Sequence, residues 1–198
     1  MKLILASNNA HKLREFRELF RTLNVELLSQ GEAGIHVDPE ETGETFAENA
    51  FIKAEAVMKA SGLPAIADDS GLCVDALGGA PGVHSARYTG NHNDSDVDRY
   101  EKVLRELRGV TDRSARFVCS LCCVFPNGDT LRTEAAMEGV ILDGPRGENG
   151  FGYDPIFQAL GYDRSNSELS MEEKNAISHR GKALQKMKEE WEKYHADK

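Results

Sequence analysis

Four short polar stretches hold the residues best placed by type and spacing to do chemistry. Ser7-Asn8-Asn9-Ala10-His11-Lys12 stands between an apolar run and a helical pattern, where free backbone N–H groups and a lysine favour an anion. A solvated helix start would use the same residues, and the Gly-x4-Gly-Lys-Ser/Thr form of a nucleotide-binding loop is absent. Glu40-Glu41-Thr42-Gly43 comes just before a helix that carries Lys53. Asp68-Asp69-Ser70-Gly71 follows a short apolar run, and two adjacent carboxylates there are costly to hold together unless a cation compensates them. Hard oxygen donors of this kind suit a small divalent cation such as Mg²⁺; a turn closed by an Asx hydrogen bond is the alternative. Gly150-Phe151-Gly152-Tyr153-Asp154 sets an aromatic ring among glycines, able to stack on a flat base. It pairs with Glu173-Lys174 and Ser178-His179-Arg180, whose guanidinium can donate to carbonyl oxygens or join ordinary salt bridges.

The elements that must hold these stretches alternate between strand and helix patterns. Leu3 to Ala6 reads as a strand, Lys12 to Leu23 as a helix with Leu13, Phe16, Phe20 and Leu23 at three- and four-residue steps, and Val25 to Ser29 as a strand. A polar stretch from Gln30 to Glu44 leads to Thr45-Phe-Ala-Glu48, a capping box opening a helix through Ala60 with Phe46, Ala50, Ala54, Val57 and Met58 on its buried stripe. Ala65 to Asp68 is a short strand running into Asp69-Ser70-Gly71. Val97 to Arg108 is an amphipathic helix, and Asn93-Asp-Ser-Asp-Val-Asp98 reads as its acidic start; the glycine and distal glutamate of a calcium loop are missing. Ala115 to Phe125 and Thr130 to Leu142 are strands joined by a hairpin turn at Asn127-Gly128. Gly144 to Gly152 is a glycine-rich loop. Ser170-Met-Glu-Glu173 is a second capping box, opening a final helix toward Tyr194 that puts Ile177, Leu184 and Trp191 seven apart on one side. On that helix Lys174 and Ser178 share a face, with Arg180 about two turns along.

The whole chain restricts what these segments can serve. Its 198 residues, 40% hydrophobic and 29% charged, suffice for one domain, or one core with a second lobe. A formal net charge of -9 argues against a broad nucleic-acid or anionic-membrane surface, so a polyanion would need a local cationic cluster or a metal ion. No run of 18 apolar residues occurs and the chain opens without a signal-peptide pattern, so a cytoplasmic location is expected. The four cysteines are expected as thiols. Cys119 and Cys122 have the spacing of a metal pair, but on a strand positions i and i+3 face opposite sides and cannot share one zinc ion.

In wording and order these segments resemble the inosine/xanthosine triphosphate pyrophosphatase family, which removes deaminated purine nucleotides. Ser7 to Lys12 matches its Ser/Thr-x-Asn-x-x-Lys, Glu40 to Gly43 its Glu-x-x-Gly, and Glu48 to Ala54 its Glu-Asn-Ala-x-x-Lys-Ala. Ala67 to Leu72, Gly78 to Gly82, Ser85 to Tyr88, Gly150 to Phe157 and Ser178 to Arg180 complete a likeness that spans almost the entire chain. The resemblance implies an α/β fold over residues 1–198, a long twisted mixed sheet flanked by helices, in two lobes with an active-site cleft between them. It implies Mg²⁺-dependent hydrolysis of ITP, dITP and XTP to the monophosphate and pyrophosphate, usually by a homodimer.

Carried over residue by residue, the resemblance gives Ser7, Asn8, Asn9, Ala10, His11 and Lys12 the triphosphate. Glu40 and Asp69 bind magnesium, Asp69 is the general base, and Lys53 and Asp68 support the phosphate and metal site. Ser70 touches the substrate, Phe151, Gly152, Tyr153 and Asp154 pack on and around the base, and Lys174, His179 and Arg180 read its 6-oxo edge. Glu41 is left as the alternative to Glu40. The chain has Asn8 where many relatives have glycine, and asparagine's tolerance of left-handed backbone is expected to preserve the loop. His84 is expected to have no role. A preference for modified pyrimidines, and nucleotide binding without turnover, are the competing readings; Ser178-His179-Arg180 speaks against the first, and retention of Glu40 with Asp69 against the second. The spacing of an Asp-x-Asp phosphatase is absent.

Overall fold

The computed structural model describes residues 1–91 and 93–196. β1 (Lys2–Leu5), α1 (Ala10–Phe20), β2 (Glu26–Ser29), α2 (Phe46–Ser61) and β3 (Ala65–Val74) come first. α3 (Asp96–Glu106), β4 (Ser114–Val124), β5 (Thr130–Ile141), β6 (Phe157–Ala159), α4 (Met171–Ile177) and α5 (His179–Ala196) follow. The strands form one six-stranded sheet in the order β2-β1-β3-β4-β5-β6. It is mixed: β1 runs parallel to β2 and β3, with Leu3 opposite Leu27 and Ile4 opposite Ala65, and β6 runs antiparallel to β5. The α/β class with helices flanking a mixed sheet is as expected. Among the described residues no helix is long and apolar enough to cross a membrane.

The chain divides into two compact units. The first comprises Met1–Asp69, Cys119–Ala135 and the segment from Arg180 onward; the second comprises Ser70–Val118 and Ala136–His179. The division falls once in each of the long strands β3, β4 and β5, and once between His179 and Arg180.

In the first unit the two-residue strand period sorts side chains onto opposite faces. Ile66, Cys119, Leu121 and Cys123 pack with Phe16 and Phe20 of α1 and with Leu184, Met187 and Trp191 of α5. Ala67, Cys122 and Val124 pack instead with Ala50 and Ala54 of α2. Cys119 and Cys122 therefore lie on opposite faces as free thiols, as the strand period requires. Burial pushes the Cys122 thiol up to about 11 and raises Cys119 and Cys123 as well. Since the thiolate is the nucleophile, all three are expected to resist iodoacetamide at pH 8 in the native protein and to react once it is denatured. Mass spectrometry of the modified chain checks this, and fast native labelling at any of the three would contradict the packing.

Local signals set several boundaries. Thr45 Oγ1 accepts from the Glu48 N–H at 3.2 Å and the Glu48 carboxylate accepts from the Thr45 N–H at 3.1 Å, the expected capping box, worth about 1 kcal/mol. At the β4–β5 turn the Phe125 N–H donates to the Asp129 carbonyl at 3.0 Å, again as expected.

Several boundaries differ from the sequence pattern, and those of α1, β3 and α4 bear on the site. α1 starts at Ala10, two residues early, because Asn9 caps it. β3 does not stop at Asp68 but continues for ten residues through Ser70 to Val74, so no Asx turn forms there. The capping box at Ser170 opens α4 as expected, but the helix breaks at Ser178, whose backbone is extended (φ -63°, ψ 146°), before α5 begins. The expected stripe is split accordingly: Ile177 packs with the second unit's core around Tyr153 and Phe157, while Leu184 and Trp191 belong to the first unit's core. Side chains claimed by different cores on either side of residue 178 override a continuous helical period. Lys174 and Arg180 consequently lie on separate helices.

Candidate active site

In the first unit, Asp68 and Asp69 are neighbours on β3 and so point to opposite faces of it. Asp68, on the α1 and α5 side, is buried, with its side chain 1% exposed. Its Oδ1 accepts from Lys12 Nζ at 2.9 Å, and its Oδ2 lies 3.4 Å from Arg180 Nε. Arg180 in turn donates from Nη1 to Glu15 at 3.0 Å. Burial alone would raise the Asp68 pKa, but the Lys12 ammonium and the Arg180 guanidinium outweigh it and hold the carboxyl well below the usual range.

Asp69 faces the α2 side. Lys53 Nζ lies 3.3 Å from its Oδ1 and 3.4 Å from Glu41 Oε2. Burial lifts the Asp69 carboxyl above its ordinary value and Glu41 adds to this, with Lys53 and Asn49 only partly offsetting them. Burial would lower Lys53, but the carboxylates of Asp69, Glu41 and Asp68 reverse that and raise it. Asn49 is itself buried and fixes the loop before α2, its Oδ1 accepting from the Gly43 N–H at 2.8 Å.

The cluster thus sets the carboxylates of Glu15, Glu41, Asp68 and Asp69 against the cations Lys12, Lys53 and Arg180. Asp68 Oδ2 and Asp69 Oδ2 are buried without a hydrogen bond. Four carboxylates against three cations, with Asp69 Oδ2 left as an uncommitted hard oxygen donor, fit Mg²⁺. Among the described residues no group of three or more His, Cys, Asp or Glu assembles as a metal cage. Mg²⁺ has no need of one, since it keeps several waters and takes one or two carboxylates together with substrate phosphates.

The loop before α1 is organised by its own side chains. Ser7 Oγ accepts from the Asn9 N–H at 3.1 Å, and Asn9 Oδ1 accepts from the N–H groups of His11 at 2.9 Å and Lys12 at 3.1 Å. Two of the helix-start donors expected for an anion are therefore already engaged by the cap. Asn8 has no need of left-handed backbone, which among the described non-glycine residues only Asn24 adopts. Asn8 instead keeps the loop in place through its side chain, Oδ1 accepting from the Gly31 N–H at 2.8 Å.

In the second unit, Asp154 is the buried centre of the glycine-rich loop. Its Oδ2 pairs with the Lys174 ammonium and accepts from the Phe151 N–H at 3.1 Å, while Asn166 Nδ2 lies 3.3 Å from its Oδ1. The Tyr153 hydroxyl donates to the Ser85 carbonyl at 2.6 Å. Held from beneath in this way, the Phe151 ring stands 65% exposed, with Lys174 Nζ 4.8 Å from its centroid. His179 stacks on Phe117 with ring centroids 5.1 Å apart and planes 14° from parallel. Gly150 is required twice over: its φ is +80°, and a Cβ would sit 2.4 Å from Asp154 Oδ2. Gly150→Ala is expected to lose about 2 kcal/mol, read as a lowered melting temperature.

The sequence model of the Ham1 family matches residues 3–190. The chain belongs to the Ham1 family. A relative from Geobacillus kaustophilus (strain HTA426), named dITP/XTP pyrophosphatase, is 50% identical over 193 residues, covering 96% of this chain and 94% of its own. A dITP/XTP pyrophosphatase of Bacillus subtilis (strain 168) is 49% identical over 186 residues, 93% of each chain. Among solved structures, a HAM1 protein from Coxiella burnetii superposes with a TM-score of 0.93 at 46% identity, covering 98% of this chain and 99% of that one. The Staphylococcus aureus Ham1 protein gives 0.92 at 43% identity over 98% and 100%.

In this Ham1-family chain the expected site residues fall into two groups. Lys12, Lys53, Asp68, Asp69 and Arg180 assemble in the first unit; Phe151, Asp154 and Lys174 assemble in the second. Glu40 is exposed and makes no ion pair among the described residues, and it is Glu41 that reaches Lys53. Among the described residues Ser70 Oγ has no hydrogen-bond partner. The His84 side chain is exposed and likewise has no partner among the described residues. Sequence reasoning missed Glu15, Asn49 and Asp96. Glu15 lay one helical turn beyond Lys12, Asn49 lay inside the Glu-Asn-Ala motif, and Asp96 was hidden among acids assigned to a helix start.

Proposed function

We propose that this protein is a Mg²⁺-dependent nucleoside triphosphate pyrophosphatase that converts ITP, dITP and XTP to the monophosphate and pyrophosphate. The observation that carries the reading is the adjacent pair Asp68 and Asp69, one carboxylate saturated by Lys12 and Arg180 and the other raised in pKa with an oxygen uncommitted. The dITP/XTP pyrophosphatases that are about half identical over nearly the whole chain support the same chemistry.

Water attacks the α-phosphorus, the bond from that phosphorus to the bridging oxygen breaks, and pyrophosphate leaves. Asp69 accepts the proton of the attacking water, its side chain held beside Lys53 on the α2 side of β3. Lys12 and Lys53 offset the negative charge of the polyphosphate, and Asp68 holds Lys12 in place for it. Asp69 would hold Mg²⁺, with Glu40 from the family spacing or Glu41 from its contact with Lys53 as the second carboxylate, and the ion would supply charge neutralisation for the polyphosphate. Phe151 stacks on the base, and Lys174 and His179 offer donors to a 6-oxo group. Adenine presents an amino donor at that position and meets donor with donor, a mismatch a polar site rejects strongly. The ion pairs of Arg180 with Asp68 and Glu15 favour a role in ordering the carboxylates over one in reading the base.

Pyrophosphate release from ITP, XTP, ATP and GTP, with and without Mg²⁺, tests the reading. Fast release from ITP and XTP that needs Mg²⁺ is expected, with ATP slower by about 100-fold or more. Orthophosphate as the product, or indifference to the base, would defeat it. The same resemblance implies a homodimer, which sedimentation of the purified protein checks.

A further inference from the structure

The acids that open α3 have no part in the reaction above. Asp98 serves its own helix: its Oδ2 accepts from the Ser95 N–H at 2.8 Å, and its N–H donates to Ser95 Oγ at 3.2 Å. Asp96 reaches away from the helix. Its Oδ2 accepts from the Gly152 N–H at 2.7 Å, and its Oδ1 pairs with Arg99 Nη2 at 2.5 Å. Arg99 is fixed in turn, donating from Nη1 to the Asp94 carbonyl at 2.8 Å and the Ala86 carbonyl at 3.3 Å.

The Gly152 N–H belongs to the peptide that leaves Phe151, and the Phe151 N–H belongs to the peptide that enters it. Each amide is held by a carboxylate, Asp96 on one side and Asp154 on the other, and each carboxylate carries its own cation, Arg99 or Lys174. A ring as exposed as Phe151 gains little orientation from packing, so the direction of its Cα–Cβ bond is set by these two amides. Glycines at positive φ flank it, which leaves the loop otherwise soft.

We propose that Asp96, clamped by Arg99, is a positioning residue that fixes the Phe151 platform for the purine base. The inference rests on the reading of Phe151 as the stacking surface. Binding of inosine 5′-monophosphate and of inorganic pyrophosphate is measured by calorimetry for wild type, Asp96→Ala, Asp96→Asn, Arg99→Met and Phe151→Ala. Asp96→Ala is expected to weaken the monophosphate about tenfold and leave pyrophosphate unchanged, with Asp96→Asn, which keeps an acceptor for the Gly152 N–H, restoring most of the loss. Arg99→Met supplies the same test with a smaller loss should Asp96→Ala fold poorly. If Phe151→Ala weakens the monophosphate while Asp96→Ala and Arg99→Met do not, the positioning role is wrong. If Phe151→Ala itself has no effect, the stacking reading has failed first. Equal weakening of monophosphate and pyrophosphate in Asp96→Ala would mean general damage to the fold and would also overturn the proposal.

Discussion

Asp69→Asn is expected to lower pyrophosphate release from ITP by about a thousandfold while leaving the protein at least as resistant to heat as wild type. The two halves of that result have separate causes. The amide cannot accept the proton of water and offers a poorer oxygen to a cation, so the chemical step fails. Yet the carboxylate it replaces is one that burial and Glu41 disfavour in ionised form even with Lys53 beside it. Removing that charge relieves a cost of folding. A single-turnover assay with a melting curve on the same preparation measures both, and retained activity would remove Asp69 from the mechanism.

Asp68→Asn is expected to do the opposite to stability. This carboxylate is the shared counterion of Lys12 and Arg180, both largely buried, and an isosteric amide leaves two cations facing each other without it. Breaking a buried ion pair from one side costs about 3 kcal/mol, or about 10 °C in melting temperature for a chain of this length. Activity should fall as well, because Lys12 loses the contact that directs its ammonium. Adjacent residues, each changed from aspartate to asparagine, are thus predicted to shift the melting temperature in different directions. A similar shift for both would mean that the two sides of β3 are not electrostatically distinct.

Much of this arrangement was legible in the sequence where a local cause decides the structure. The capping boxes at Thr45 and Ser170, the Asn127-Gly128 hairpin and the alternation of Cys119 and Cys122 rest on contacts within a few residues, and they appear where expected. What could not be read depends on distant partners. Asp68-Asp69-Ser70-Gly71 has the composition of a turn, and it remains a strand because cations from residues 12, 53 and 180 compensate the carboxylates. No proline or glycine at residues 175–180 announces the helix break at Ser178, which follows from the division of labour between two cores. The choice between Glu40 and Glu41 hangs on the direction taken by an irregular loop, and periodicity says nothing about it. Asp96 was visible as an acid, but the peptide it holds is 56 residues away.

The three residues that meet at the Asp68 carboxylate also set an order of events for the newly made chain. Lys12 and Asp68 leave the ribosome early, whereas Arg180 belongs to the last segment of the first unit, after the whole of the second has been synthesised. Until then the strand carrying Asp68 lacks one of its cations and the α5 surface that covers its face. High sequence separation between partners slows folding and prolongs the exposure of apolar strands. The second unit, interrupted only by the β4–β5 excursion, can collapse sooner. The part of the first unit built around Asp68 should therefore be the last to mature during synthesis, and the interval before it does is when the chain most needs a chaperone.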